Sequence, residues 1–256
     1  MSTNVLQRTL RTISRKDRHF MTPEFDLAST DRLLTTTRSV RKRLDFDRPV
    51  AVDLVMECMT IALQAATGGN AQRWRWVIVV DEDKRRAISA LYARSFREIL
   101  DVPDDVSLDA APTEAGYHHS FAQRLDAEDR LQSSVMYLIE NMHRAPVLVL
   151  ACVVGRATPE DTPHWVSAQF GSVYPAVWNL QLALRSRGLG SCLTGAHLTY
   201  ERQVADLLAI PYDEVMQVCL LPVAYYMGDT FRPAKRRPVN EVVGIDTFPS
   251  EGSGTW

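Results

Sequence analysis

The sequence predicts one domain of mixed helices and strands, with helices covering both faces of a central sheet. Three observations predict it. Helical apolar periods alternate with short β-branched runs, of which residues 76–80, 146–154 and 215–226 are the clearest. The chain has 256 residues, 46% of them apolar, which is enough for one sizeable core. No internal repeat appears, and the alternation is too irregular for a barrel of eight βα units.

The elements follow in order. Residues 1–29 carry scattered charge and a Pro23 turn signal, and are expected to form an extension before the domain at 30–245. Thr30 and Asp31 are expected to cap a helix to about Thr37. Pro49, with its fixed φ, suits the first position of a helix whose apolar face is Val52, Leu54, Val55, Cys58, Ile61, Ala62 and Ala65. Gly68, Gly69 and Asn70 interrupt it. Residues 76–80 read as a buried strand. After a turn at Asp81 to Asp83, a helix to about Leu100 should turn Ile88, Leu91, Tyr92 and Phe96 inward.

Residues 101–120 contain Pro103, Pro112 and Gly116 and read as a long loop. A helix at about 122–142 should bury Met136, Leu138 and Ile139, and strand 146–154 follows. The helix at about 165–187 is apolar on most sides, so it is buried in its own subunit, at a subunit interface, or both. Pro175 is expected to kink it, and Gly188-Leu189-Gly190 to end it. Strand 191–196, a short helix at 200–208 and strand 215–226 complete the fold, and residues 246–256 form a polar tail.

Composition excludes several classes. Lys plus Arg total 29 and Asp plus Glu total 31, a near balance that does not favour nucleic acid as a partner. The basic run Arg8, Arg11, Arg15, Lys16 and Arg18 reads as a solvated arm or helix face. Cys58, Cys152, Cys192 and Cys219 are widely spaced and form no CxxC pair, so neither zinc nor a disulfide framework is indicated. They suit buried thiols of a reducing compartment. No signal peptide or membrane span is apparent, so a cytoplasmic protein without membrane association is expected. No GxGxxG, P-loop, HExxH or GxSxG motif is present, and His118-His119 lacks spaced partner ligands.

Three segments stand out as candidates for the chemistry. In Arg38-Ser39-Val40-Arg41, two guanidinium groups and a hydroxyl suit a phosphate; the alternative for such a basic tetrapeptide is a solvent-facing segment. In Thr67-Gly68-Gly69-Asn70-Ala71-Gln72-Arg73-Trp74, glycines permit close approach of a ligand to the backbone. Asn70 and Gln72 add amides that both donate and accept, as a flavin ring edge requires. The third is a pair. Gly188-Leu189-Gly190-Ser191-Cys192-Leu193-Thr194-Gly195 leads into a small-residue segment, and the basic cluster Lys235-Arg236-Arg237 precedes Pro238.

In this order and register, RSVR, TGGNAQRWRWVIVV, WNLQLALRSRGLGSC, LLAIPYDEVMQVCLLPVAYY and KRRPVNEVV resemble the FMN-dependent nitroreductase family over roughly residues 35 to 245. The resemblance implies a three-layer α+β sandwich with a central, mainly antiparallel sheet. It also implies an intertwined homodimer with FMN at the subunit interface. Arg38, Ser39 and Arg41 would hold the FMN phosphate and ribityl chain, and Arg236, with Lys235 nearby, would reach the same phosphate. Thr67 and Gly68 belong to the string that would meet the ring; Asn70 would face the ring edge, with Gln72 close by or supporting the turn. Leu193, Thr194 and Gly195 would lie near the ring on its N5 side.

The implied activity is NAD(P)H-dependent reduction of a small organic acceptor, such as a nitroaromatic or quinone, by ping-pong hydride transfer. No side chain is assigned as acid or base; solvent can supply the proton. The alternative is a non-catalytic FMN-binding protein of the same fold, used for storage or sensing. The chain departs from the family at Thr37, where many members have Arg or His, and at Ala66 and Arg73, where many have Pro. Arg73 is read either as a surface residue or as one that approaches cofactor or substrate. Tyr117, Phe121, Tyr137 and Trp165 are aromatic candidates for the acceptor pocket or for core packing.

Overall fold

The computed structural model describes residues 25–99 and 129–249. Five strands form one sheet in which every paired neighbour is antiparallel: β1 (Leu44–Asp45), β2 (Trp74–Val79), β3 (Val147–Val154), β4 (Leu189–Ser191) and β5 (Val215–Tyr226). The path is β1-β5-β3-β2, and β4 also pairs with β5. The helices are α1 (Leu27–Thr36), α2 (Val52–Ala62), α3 (Glu82–Ile99), α4 (Asp129–Asn141), α5 (Pro163–Ser186), α6 (Glu201–Leu208) and the short α7 (Val239–Val242).

Two cores lie against the sheet. Strand β3 shows why: Leu148, Leu150 and Cys152 point into one core, and Val147, Val149, Ala151 and Val153 into the other. A strand covered on both sides needs apolar residues throughout, which is why its sequence does not alternate. The first core joins α3 and α4 through Ile88, Tyr92, Phe96, Met136 and Leu138. The second joins α2 and α5 through Val55, Cys58, Ala62, Val173, Val177, Leu180 and Leu184. The expected three-layer α+β sandwich with an antiparallel sheet is the fold found.

Several boundaries differ from expectation, each for a local reason. Helix α1 is capped by Asp26, whose carboxylate accepts from Ala28 N at 3.1 Å, rather than at Thr30-Asp31. Thr30 lies inside the helix, its hydroxyl donating to the Asp26 carbonyl. Pro49 stands before α2, whose N-cap is Ala51. Strand β2 begins at Trp74 rather than Trp76 and is only partly buried, since β3 is its one strand partner. Helix α5 runs from Pro163 to Ser186 with Pro175 inside it, and Gly188 follows at φ 79°. The strand expected at 191–196 is instead β4, ending at Ser191, followed by a 3₁₀ turn over Ala196–Tyr200. Residues 101–120, including Tyr117 and His118-His119, and Phe121 lie outside the described residues.

Helix α5 is not buried all round. Val173, Val177, Leu180 and Leu184 face the core, while Tyr174 and Trp178 on another face are each 41% exposed. No helix among the described residues is long and apolar enough to cross a membrane.

Candidate functional site

The segment after α1 carries the first cluster. Val40 is buried, and its N–H bonds to the Ser191 carbonyl at 2.9 Å, tying the segment to β4. Gly190 leaves the space for this contact, since a Cβ there would stand 3.0 Å from Val40 Cβ and 3.1 Å from Leu44 Cδ2. With Val40 fixed, Arg38, Ser39 and Arg41 reach a cleft also lined by Lys42, Arg43, Ser134, Phe231 and Arg232.

The C-terminal segment closes the other side. Arg43 Nε donates to the Met227 carbonyl at 2.6 Å, and Arg38 donates to the Arg232 carbonyl at 3.1 Å. Arg41 reaches Ser134 on α4 at 3.5 Å. Five cations line this cleft without a carboxylate, and none of them forms an ion pair among the described residues. Such a field suits a polyanion.

The thiol of Cys192 sits beside this cluster. Burial pushes its pKa up, against the opposing influence of the Arg41 guanidinium and a hydrogen bond with Ser39. Lys235 and Arg236 lie a few residues beyond Arg232, exposed, and Arg236 donates to the Lys235 carbonyl.

Between β4 and the following 3₁₀ turn, Thr194 exchanges both backbone hydrogen bonds with Leu220 at 2.9 Å. Its hydroxyl meets the Tyr92 phenol at 2.9 Å. Burial pushes that phenol's pKa up, with the Thr194 hydrogen bond opposing. Leu193 is 38% exposed, and Gly195 caps the 3₁₀ turn.

The second cluster precedes β2. The 3₁₀ turn Gly68–Asn70 has Gly69 at φ 57°, and Asn70 and Gln72 follow at φ 53° and 48°. Two non-glycine residues in the left-handed region represent strain, which accumulates at functional sites. Local bonds hold the turn. Asn70 N–H donates to the Thr67 carbonyl, Gln72 N–H to the Thr67 hydroxyl and Gln72 Nε2 to Asn70 Oδ1 at 2.9 Å. Gly68 N–H donates to Ser172 Oγ of α5 at 3.3 Å. A second cleft lies here, lined among others by Gly68, Gly69, Arg73, Trp165, Gln169 and Ser172.

One chain keeps the two clusters apart. Arg38 to Arg41 lead into Leu44, which pairs with Tyr226 at the end of β5. Thr67 to Gln72 lead into Trp74, which pairs with Val153, and Val153 with Met216 near the start of β5. Ten positions at about 3.3 Å each put these entries roughly 30 Å apart.

Sequence reasoning missed Ser134, Arg232 and Gln169. Arg232 is one more cation near a basic tail, and Gln169 looks like a polar residue of an amphipathic helix; neither carries a local signal. Tyr137 stacks on Phe46. Trp165 lies instead in the second cleft, under the Arg73 guanidinium, which is 5.1 Å from its ring centroid. Among the described residues no cluster of His, Cys, Asp or Glu could hold a metal ion.

Known structures share this architecture. Iodotyrosine deiodinase bound to FMN and 3-iodo-L-tyrosine is 24% identical, with 84% of this chain and 97% of that chain covered at a TM-score of 0.59. A BluB-like flavoprotein from Clostridium difficile 630 is 17% identical, with coverages of 87% and 100% and a TM-score of 0.59. A variant of the FMN and NADPH-dependent nitroreductase NfnB from Sphigopyxis sp. strain HMH is 21% identical, with coverages of 85% and 99% and a TM-score of 0.61. No curated protein gives a significant match. The sequence pattern of the Nitroreductase family matches residues 34–225, three quarters of the chain. This chain is a member of the nitroreductase family.

Proposed function

We propose that this chain is an FMN-dependent oxidoreductase, reduced by NAD(P)H, that reduces a small organic acceptor such as a nitroaromatic or quinone. The carrying observation is the cleft of Arg38, Arg41, Lys42, Arg43 and Arg232, five cations with no carboxylate between them. A phosphate monoester fits that donor set: guanidinium forks supply paired N–H donors, and Ser39 adds a hydroxyl. Lys235 and Arg236, just beyond Arg232, supply further charge to the same phosphate.

A phosphate alone does not make a flavin site. The ring needs an apolar slot and donors and acceptors along one edge. The turn Thr67–Gln72 supplies such an edge: open glycine backbone at Gly68 and Gly69, and the amides of Asn70 and Gln72. Because that turn and the cationic cleft lie at opposite ends of β5, we infer that each FMN is held between two copies of the chain. One copy grips the phosphate, and the other presents Thr67, Gly68, Asn70 and Gln72 to the ring. Leu193, Thr194 and Gly195 meet the ring from the phosphate-binding copy. The exposed Tyr174 and Trp178 of α5 support such a homodimer, since an apolar face on a long helix gains from burial.

When bound, FMN would supply the redox chemistry, accepting a hydride from NAD(P)H and passing it to the acceptor, so the two substrates would use one site in turn. The chain's residues fix the cofactor, orient its ring and shape the space above it. Anaerobic absorbance spectroscopy of the purified protein tests this reading. Flavin bands that bleach on addition of NADH or NADPH are expected. Bands that persist contradict the enzymatic role, and no flavin uptake contradicts the cofactor.

A further inference from the structure

The second cleft carries features that cofactor binding leaves unused. Its volume is about 330 Å³, and no carboxylate lines it. Gln169 is 4% exposed, and neither its amide nitrogen nor its amide oxygen has a hydrogen-bond partner. A buried amide left unsatisfied on both atoms is costly, and a ligand that completes its bonds relieves that cost.

Arg73 stands at the same cleft. Its guanidinium faces the Trp165 ring and pairs with no carboxylate among the described residues. A guanidinium over an aromatic face can still offer its N–H edge to a carboxylate in a two-point bond. Gly155, at φ 92°, brings Arg73 and Gln169 side by side. A Cβ there would stand 3.2 Å from Gln169 Nε2 and 4.0 Å from an Arg73 Nη.

The rest of the lining sets the ligand's shape and sign. Trp165, Val153 and Ala168 supply apolar walls for a flat ring. His164 and Trp165 belong to the first turn of the 24-residue helix α5, capped by Thr162, whose N-terminal end favours an anion. Ser172 is already engaged with Gly68 N–H and the Ala168 carbonyl, so the unused donors and acceptor belong to Arg73 and Gln169.

We propose that this cleft is the acceptor's binding site and that it takes an aromatic carboxylate with a hydroxyl or amino group beside the acid and its reducible group, such as a nitro group, elsewhere on the ring. The carboxylate bonds to Arg73 and Gln169 Nε2, the neighbouring group donates to Gln169 Oε1, and the ring packs on Trp165. The assignment as acceptor site rests on the flavin reading; the binding chemistry does not. Arg73 is then the specificity-determining residue.

Calorimetric titration of the purified full-length protein with 2-hydroxybenzoate tests the site. Binding is expected, at least about tenfold tighter than that of 2-hydroxybenzyl alcohol, which lacks the carboxylate. Arg73→Gln should lose about tenfold in affinity, and Arg73→Lys should recover part of it. With acceptors, the ratio of kcat/KM for 4-nitrobenzoate over nitrobenzene should fall about tenfold in Arg73→Gln. No binding by the wild type, or equal binding by wild type and Arg73→Gln, overturns the proposal. Flavin that bleaches with NAD(P)H alongside absent hydroxybenzoate binding overturns this inference alone. Hydroxybenzoate binding by a protein that takes up no flavin overturns the acceptor role and the flavin reading, leaving a binding site.

Discussion

Leu44 and Trp74 enter the sheet at opposite ends of β5: Leu44 opposite Tyr226, Trp74 through Val153 opposite Met216. The residues just before each carry half of the proposed cofactor site. Antiparallel register, rather than sequence distance, therefore sets which residues a single chain can bring together.

Removing a guanidinium from the first half should weaken FMN retention. Arg41→Ala deletes a charge-assisted donor to the proposed phosphate. A loss of about 2 kcal/mol, some thirtyfold in Kd, is expected. Fluorescence titration of flavin-free protein measures it. Wild-type affinity would remove Arg41 from the site.

Gly190 controls the same half at one remove. Alanine there drives a Cβ against Val40 and Leu44, at 3.0 and 3.1 Å. Overpacking of this kind costs about 1–3 kcal/mol. Gly190→Ala should lower the urea midpoint and also loosen FMN, because Val40 anchors Ser39 and Arg41. Unchanged flavin affinity would show that the anchor does not position the cations.

The Arg156–Glu201 pair is the most enclosed ion pair in the described chain, with both side chains mostly buried. Glu201 also accepts from Gln217 N–H at 2.8 Å, and Arg156 also donates to the Tyr212 and Val215 carbonyls. Glu201→Ala leaves a guanidinium without its partner and should cost about 3 kcal/mol. Chemical denaturation reads this directly. A loss below the experimental error would mean that water replaces the carboxylate fully.

His197 is fully buried, and neither ring nitrogen has a partner. Burial lowers its pKa from 6.5 to about 4, so it is neutral in the fold. Below pH 6.5 the unfolded chain takes up a proton that the folded chain refuses. Stability should therefore fall as pH drops from about 6.5 to 4, by up to about 3 kcal/mol from this group, and level off below. His197→Leu should flatten that part of the profile. Urea melts of both proteins at pH 7 and pH 4.5 check it; the same loss of stability in wild type and variant would show that the fold does not lower the histidine's pKa.

Much of this architecture is legible in the sequence because burial writes it there. Strand β5 falls at the expected residues, and Ile88, Tyr92, Phe96, Met136 and Leu138 are inward as their spacing predicts. What escapes is short or contingent. Strands β1 and β4 span two and three residues, too few for any period. Asp26 captures the cap of α1 because its carboxylate reaches Ala28, a choice that Thr30 and Asp31 obscure. The Arg38–Arg41 and Thr67–Gln72 segments stand out by residue type, but their separation along β5 belongs to register, and the pairing of Arg73 with Trp165 to tertiary packing.

The most direct test of the shared cofactor site is complementation between two defective copies. Arg38→Ala/Arg41→Ala damages only the phosphate half, and Asn70→Ala/Gln72→Ala only the ring half. Each variant alone should retain little FMN. Unfolded together and refolded as a mixture, half the dimers are mixed, and each mixed dimer has one intact site, so about a quarter of the wild-type flavin should return. Recovery at that level, measured as bound flavin per chain, is the predicted result. No recovery from two well-folded variants would contradict a site divided between subunits.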